Sequence, residues 1–159
     1  GTSDVNFPNV ADGNYHIVIR HRNHLAIRSA NPVALNSSTA TLYDFSSALT
    51  QAYDDPAITA NDAMQTVGGT WVMWGGNANS NNTVRAGGTI TTSDYLYFQG
   101  PSVLNGSTAI TLSNIYHSAD MNMDGSVRAG GTITTSDYLF FQGPGVLNGS
   151  TAATITAHQ

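Results

Sequence analysis

The chain has 159 residues and a formal net charge of −5, with 40% hydrophobic but only 9% charged residues. That length suits one domain or two small ones, and the hydrophobic share excludes disorder by composition. The acidic balance argues against nucleic acid as a partner, because phosphate binding needs a basic face, and no run of 18 apolar residues offers a membrane span.

All ten acids are Asp and all five bases are Arg; Glu, Lys and Cys are absent. Long straight-chain residues are the surface helix formers, so their absence argues against a helical architecture. Gly, Ser, Thr and Asn take their place and favour turns and strands. The composition predicts a mainly β fold. Without disulfides, the chain fits a cytosolic protein or a bacterial secreted one stabilised by metal, and its Lys-free polar surface favours secretion. The opening "GTSDVNF" has no leader-like segment, which gives the expectation of a mature product or an excised piece.

In chain order, "NYHIVIR" (14–20) alternates, placing Tyr15, Ile17 and Ile19 on one face and His16, Val18 and Arg20 on the other. "RNH" predicts a turn into "LAIRS", and "NPVAL" a short strand after a Pro-bounded break. Two His three apart in "HRNH", His21 and His24, raise zinc, but a third ligand is missing and a polar strand end accounts for them. Arg20, Arg22 and Arg28 gather in an acidic chain, either as a solvated, salt-bridged face or as a grip on a carboxylate. "ATLYDFSSALTQAYDD" fits both a strand and a short helical turn. "GGTWVMWGG" (68–76) predicts a strand bounded by glycines. Residues 1–76 are thus expected to form a β-rich, sandwich-like domain.

The rest is a tandem repeat, 77–119 and 120–159. Residues 84–112 and 127–155 align without gaps at an offset of 43 and differ at four of 29 positions. Such identity means two copies of one supersecondary unit, expected to pack on the first domain. In each, "TSDY" supplies Ser93 or Ser136 as the N-cap of one short helix.

Each unit opens with a loop. In "DMNMDGSVRAGG" (120–131), Asp120, Asn122 and Asp124 hold positions 1, 3 and 5, Gly125 makes the turn at 6, and Ser126 offers its carbonyl at 7. Short oxygen ligands at alternate positions wrap a hard cation, and Ca²⁺ takes six to eight of them. Position 12, where a bidentate Glu would stand, is Gly131. Asp137, at position 18, is the nearest later acid and is expected to close the shell beyond an "AGGTIT" excursion. The competing reading is an Asx-rich turn without metal. The first loop, "NANSNNTVRAGG" (77–88), puts Asn77, Asn79, Asn81 and Thr83 at the same places, with Asp94 at 18. It is expected to be a degenerate calcium site, its shape held by Asn side chains, since ligand charge count sets affinity.

The succession "GNYHIVIRHRNHLAI", "YDF", "WVMWGGN" and two D-x-N-x-D-G-like units with a late Asp resembles a carboxy-terminal region of many secreted and surface proteins of the Bacteroidota. Those regions carry dockerin-like, EF-hand-like calcium repeats ending in an Asp six positions beyond the usual one. The resemblance runs from about residue 13 to the end. It implies an extracellular or cell-surface location and calcium at Asp120, Asn122, Asp124 and Asp137. The Asn77–Asn82 stretch departs from the family's acids, as does "T-T-S-D" from its "N-D-R-D". Such regions are tails of larger proteins, often labelled adhesins.

No catalytic residues are assigned: Cys and Glu are missing, no G-x-S-x-G elbow occurs, and adjacent Asp54 and Asp55 would face opposite ways on a strand. The functional expectation is a non-enzymatic, calcium-stabilised extracellular protein that assembles with itself into a fibre or surface layer. The alternative is a monomeric dockerin-like or glycan-binding adhesion module, recognising a cell-surface protein or a sugar through an aromatic platform near Trp71 or Trp74. "NGST" at 105 and 148, Asn36 and Asn81 match N-glycosylation acceptors.

Overall fold

The computed structural model describes residues 4–100, 103–143, 146–150 and 152–159. Among these residues, ten short strands pair into five two-stranded antiparallel ladders, joined by two short α-helices and two 3₁₀ turns. The mainly β expectation holds at this coarse level. Among the described residues the strands of the N-terminal half pair as two-stranded ladders, and no sandwich is shown there.

β1 (Gly13–Tyr15) pairs with β4 (Val33–Leu35), and β2 (Val18–Ile19) with β3 (Ile27–Arg28). The continuous strand expected over 14–20 is therefore broken at His16 and Ile17. Its cause is Ser29, whose hydroxyl accepts from the Ile17 amide at 3.0 Å, with its carbonyl 2.9 Å from His16 Nδ1. Neither face of the segment is buried: Tyr15, Val18 and Ile19 stand exposed and only Ile17 is half-covered. Burial falls instead on consecutive Leu25, Ala26 and Ile27. The ambiguous 40–55 stretch resolves into 3₁₀ turns at Phe45–Ser47, capped by the Asp44 side chain, and Leu49–Gln51. β5 (Gln65–Val67) and β6 (Thr70–Val72) form a hairpin through Gly68 and Gly69, whose φ of +59° and +83° fit the mirror-image turn that two-residue hairpins prefer.

The two repeat units are built alike. The first holds β7 (Thr83–Arg85), α1 (Asp94–Gln99) and β8 (Thr111–Ser113); the second holds β9 (Ser126–Arg128), α2 (Asp137–Gln142) and β10 (Thr154–Thr156). Both predicted caps form: Ser93 accepts from the Leu96 amide and Ser136 from that of Leu139. Each cap hydroxyl also bonds a main-chain carbonyl, of Ala86 and Ala129 respectively.

The units complete one another. β7 pairs with β10 and β9 with β8, in registers that the 43-residue offset interconverts: Val84↔Ile155 answers to Leu112↔Val127. Packing follows the same exchange. Val84 and Ala86 lie in one core with Phe141, Leu147 and Ile155, while Val127 and Ala129 lie in another with Phe98 and Leu104. Tyr95 and Tyr138, themselves equivalent, meet with ring centroids 5.4 Å apart. Leu25, from the N-terminal half, enters the first of these cores. A smaller third core under the ladders of that half gathers Ile27, Ala52, Ala63 and Met64.

Candidate metal centre

The second loop runs from a buried aspartate. Asp120 Oδ1 accepts from the Asp124 amide at 3.1 Å, and its Oδ2 from the Gly125 amide at 3.1 Å. Asn122 Oδ1 accepts from that same Asp124 amide at 3.1 Å, so positions 1 and 3 turn their oxygens towards one point. Asp124, exposed, accepts from the Ser126 amide at 2.8 Å. Left-handed backbone at Met123 (φ 61°) and Gly125 (φ 85°) curls the chain around these oxygens. Gly125 meets nothing where a Cβ would stand, so φ alone makes glycine the favoured residue there.

Asp137 enters from the first turn of α2. Its Oδ1 accepts from the Met121 and Asn122 amides at 2.6 and 3.3 Å, and its Oδ2 from the Arg128 amide at 2.8 Å. One carboxylate thus ties loop, strand and helix together. Burial pushes the Asp137 carboxyl up to about 6, against those three amides and with Asp120 adding to the rise.

The first loop has the same brace. Asp94 Oδ1 accepts from the Asn79 amide at 3.2 Å and Oδ2 from the Arg85 amide at 2.8 Å; burial pushes it, too, up to about 6. The asparagines bond within the loop: Asn77 Nδ2 donates to the Asn81 carbonyl, Asn79 Oδ1 accepts from the Asn81 amide, and Asn81 Oδ1 accepts from the Thr83 amide and hydroxyl. Ser80 is left-handed like its counterpart Met123, but Asn82, counterpart of Gly125, is not. Asn77 Oδ1 and Asn79 Nδ2 are buried without a partner.

All ten residues singled out in the two loops are thus described, five in each copy. Among the described residues, no three His or Asp side chains are gathered as a metal cluster. A cation in the second loop would draw on carboxylates of Asp120, Asp124 and Asp137, the Asn122 amide oxygen and the Ser126 carbonyl. That all-oxygen set, on a loop already curled, fits a hard divalent ion and would supply it three negative charges.

The sequence did not reveal what stands behind the loop. Arg22 donates to Asp120 Oδ2 at 2.7 Å and lies over the Tyr116 ring at 4.3 Å. Of the three clustered arginines this is the one that grips a carboxylate; Arg28 covers Tyr53 and Arg20 reaches Gln159. Asn23, also buried, donates to the Asp120 carbonyl at 2.5 Å and accepts the Gly76 and Asn77 amides on its own carbonyl. One residue of the N-terminal half therefore anchors the starts of both loops. Beside it, burial together with His21 and Arg22 holds His24 down at about 4. At the far end, buried His158 accepts from the Asp55 amide at 2.8 Å and fastens the C-terminal segment to the N-terminal half.

Trp71 and Trp74 are half-buried, Trp71 against the core of the N-terminal half and Trp74 against the core shared by the repeats. The Trp74 indole nitrogen donates to the Asp62 carbonyl at 2.8 Å. Asn105 and Asn148 of the two "NGST" turns are exposed, and both have left-handed backbone. Among the described residues, no helix is long and apolar enough to cross a membrane. Compared with protein-family models, curated proteins and solved structures, the chain matches none.

Proposed function

We propose that this chain is a non-enzymatic extracellular protein of a bacterium, stabilised by Ca²⁺ and assembling with itself as the repeating subunit of a fibre or surface layer. The observation that carries the reading is the curled, oxygen-lined loop at Asp120–Ser126, closed by Asp137. A cation held there would stiffen β9, and through the β8–β9 ladder would stiffen the first repeat as well. The dockerin-like resemblance of the two units points to the same ion and to the cell exterior.

Self-assembly is supported by the surface. Low charge leaves little repulsion between copies, and strands without Lys have weakly protected edges. Val5, Phe7 and Val10 stand exposed in one N-terminal stretch, and Leu42 and Tyr116 are 91% and 76% exposed. Large apolar side chains left in water are natural contact points for a further copy.

A monomeric dockerin-like module, binding a cell-surface protein or a glycan, is favoured by a different observation. Ile90 and Ile133, equivalent in the two units, are exposed to nearly equal degrees, 42% and 43%. Two matching surfaces suit a receptor that reads either one.

Sedimentation velocity in millimolar Ca²⁺ and again in EDTA separates the readings. Large assemblies in Ca²⁺ that dissolve in EDTA are the expected result for the subunit. A compact monomer in both would overturn it in favour of the module.

A further inference from the structure

We propose that His21, Asn23 and His24 form a second metal site, distinct from the calcium loop and suited to Cu²⁺. His21 Nδ1 and His24 Nδ1 stand 2.8 Å apart, and Asn23 Oδ1 lies 3.0 Å from the first and 2.7 Å from the second. The orientation of the Asn23 amide is fixed, since its nitrogen donates to the Asp120 carbonyl. The oxygen must therefore face the imidazoles.

No placement of protons satisfies this triangle. Each neutral imidazole has one N–H and one bare nitrogen, and the amide oxygen has none to give. If both Nδ1 atoms carry protons for Asn23 Oδ1, the two N–H groups oppose each other at 2.8 Å. If only one does, two lone pairs face each other along another side. A cation accepting all three lone pairs removes the conflict.

The spacing also selects the geometry. Ligands about 2.0 Å from a metal lie about 2.8 Å apart at right angles and about 3.3 Å apart in a tetrahedron. Sides of 2.7, 2.8 and 3.0 Å match three mutually right-angled positions. Three such positions form one face of an octahedral or tetragonally distorted site, and of the divalent metals that imidazole and amide oxygen hold there Cu²⁺ binds most tightly. Calcium, which seeks oxygen, does not compete for imidazole.

The two histidines border open space. His21 and His24 are half-buried on the wall of an open groove of about 580 Å³. All four methionines of the chain, Met64, Met73, Met121 and Met123, line the same groove. Thioethers favour Cu⁺ and serve Cu²⁺ only as weak axial ligands, and they do not attract Ca²⁺.

The test is a Cu²⁺ titration of the full chain in saturating Ca²⁺, followed by electron paramagnetic resonance. One equivalent should bind with splitting from two imidazole nitrogens. His21→Ala and His24→Ala should each leave one coupled nitrogen and weaken binding at least tenfold, and the double substitution should leave neither. A wild-type spectrum without two nitrogens, or an unchanged spectrum in the double variant, would overturn the site. The wild-type spectrum decides alone should a variant fail to fold. Calcium-dependent melting is read separately, so loss of the copper site and loss of the calcium reading are distinguishable.

Discussion

Arg22 and Asp120, 98 residues apart, form an ion pair of 2.7 Å in which the carboxylate is fully buried and the arginine side chain 16% exposed. The acid that opens the second loop is thus already paired with the protein's own cation. A calcium ion at Asp120 would share or displace that partner.

Replacing Arg22 with Met should therefore act in opposite directions on two readouts. Without the ion, a buried carboxylate loses its counter-charge, which costs about 3–5 kcal/mol. With Ca²⁺ present the ion supplies that charge, so the rise in Tm on adding Ca²⁺ should be larger in the variant than in the wild type. Melting curves in EDTA and in a Ca²⁺ series check both. An equal loss of Tm in the two conditions would mean that Arg22 only packs.

The first loop invites the reverse operation. It keeps the brace at Asp94 and the left-handed residue at position 4 but lacks carboxylates at 1 and 5. Asn77→Asp with Asn81→Asp should raise calcium stoichiometry by one per chain, with micromolar to millimolar affinity. Asp124→Asn in the second loop should weaken its binding by tenfold or more. Isothermal titration reads both; a doubly substituted first loop that stays silent would show that Asn82, without the backbone of Gly125, blocks the curl.

Much of this was legible from the residues, and the remainder was not for physical reasons. Ser93 and Ser136 announced their helices because capping is local, and Asp94 and Asp137 stood out because an acid follows each loop at one fixed distance. The exchange between units could not be read: when two copies share 25 of 29 positions, their sequences cannot say whose β8 meets whose β9. Arg22 on Asp120 is a contact across the whole chain, invisible to spacing. The alternation at 14–20 misled because pattern alone does not know that Ser29 will break the ladder and leave both faces in water.

The aspartate braces predict a pH dependence. Asp94 is raised in the fold from the ordinary 3.8 to about 6 by burial. Its contribution to stability is therefore fully present below the unfolded value and is lost as pH rises through about 6. In EDTA, lowering pH from 7 to 5 should stabilise the wild type relative to Asp94→Asn, which cannot titrate, by about 1.3 kcal/mol. Using the difference cancels the parallel change at Asp137 and the opposing one at His24. Denaturant titrations at the two pH values measure it. A constant difference would mean that the main-chain amides around Asp94 keep it ionised in spite of burial.

The exchange of strands makes damage appear in the wrong repeat. Ile155 belongs to the second unit, yet it pairs with Val84 of the first and shares its core. Truncating a buried aliphatic of this size costs about 2–5 kcal/mol, the lower part applying where neighbours relax. In Ile155→Ala, amide hydrogen exchange should therefore quicken in β7, at Val84 above all, because that strand loses its packing partner. β9, which leans on Leu112 and on the core of Phe98 and Leu104, should keep its protection. If the units instead folded each on its own, the loss would fall on β9, and Val84 would be untouched. Leu112→Ala is the mirror experiment. It should loosen Val127 and spare Val84, with a smaller cost because Leu112 is only half-buried. Together the two variants separate mutual completion from simple tandem folding, since only mutual completion makes each substitution act in the other unit.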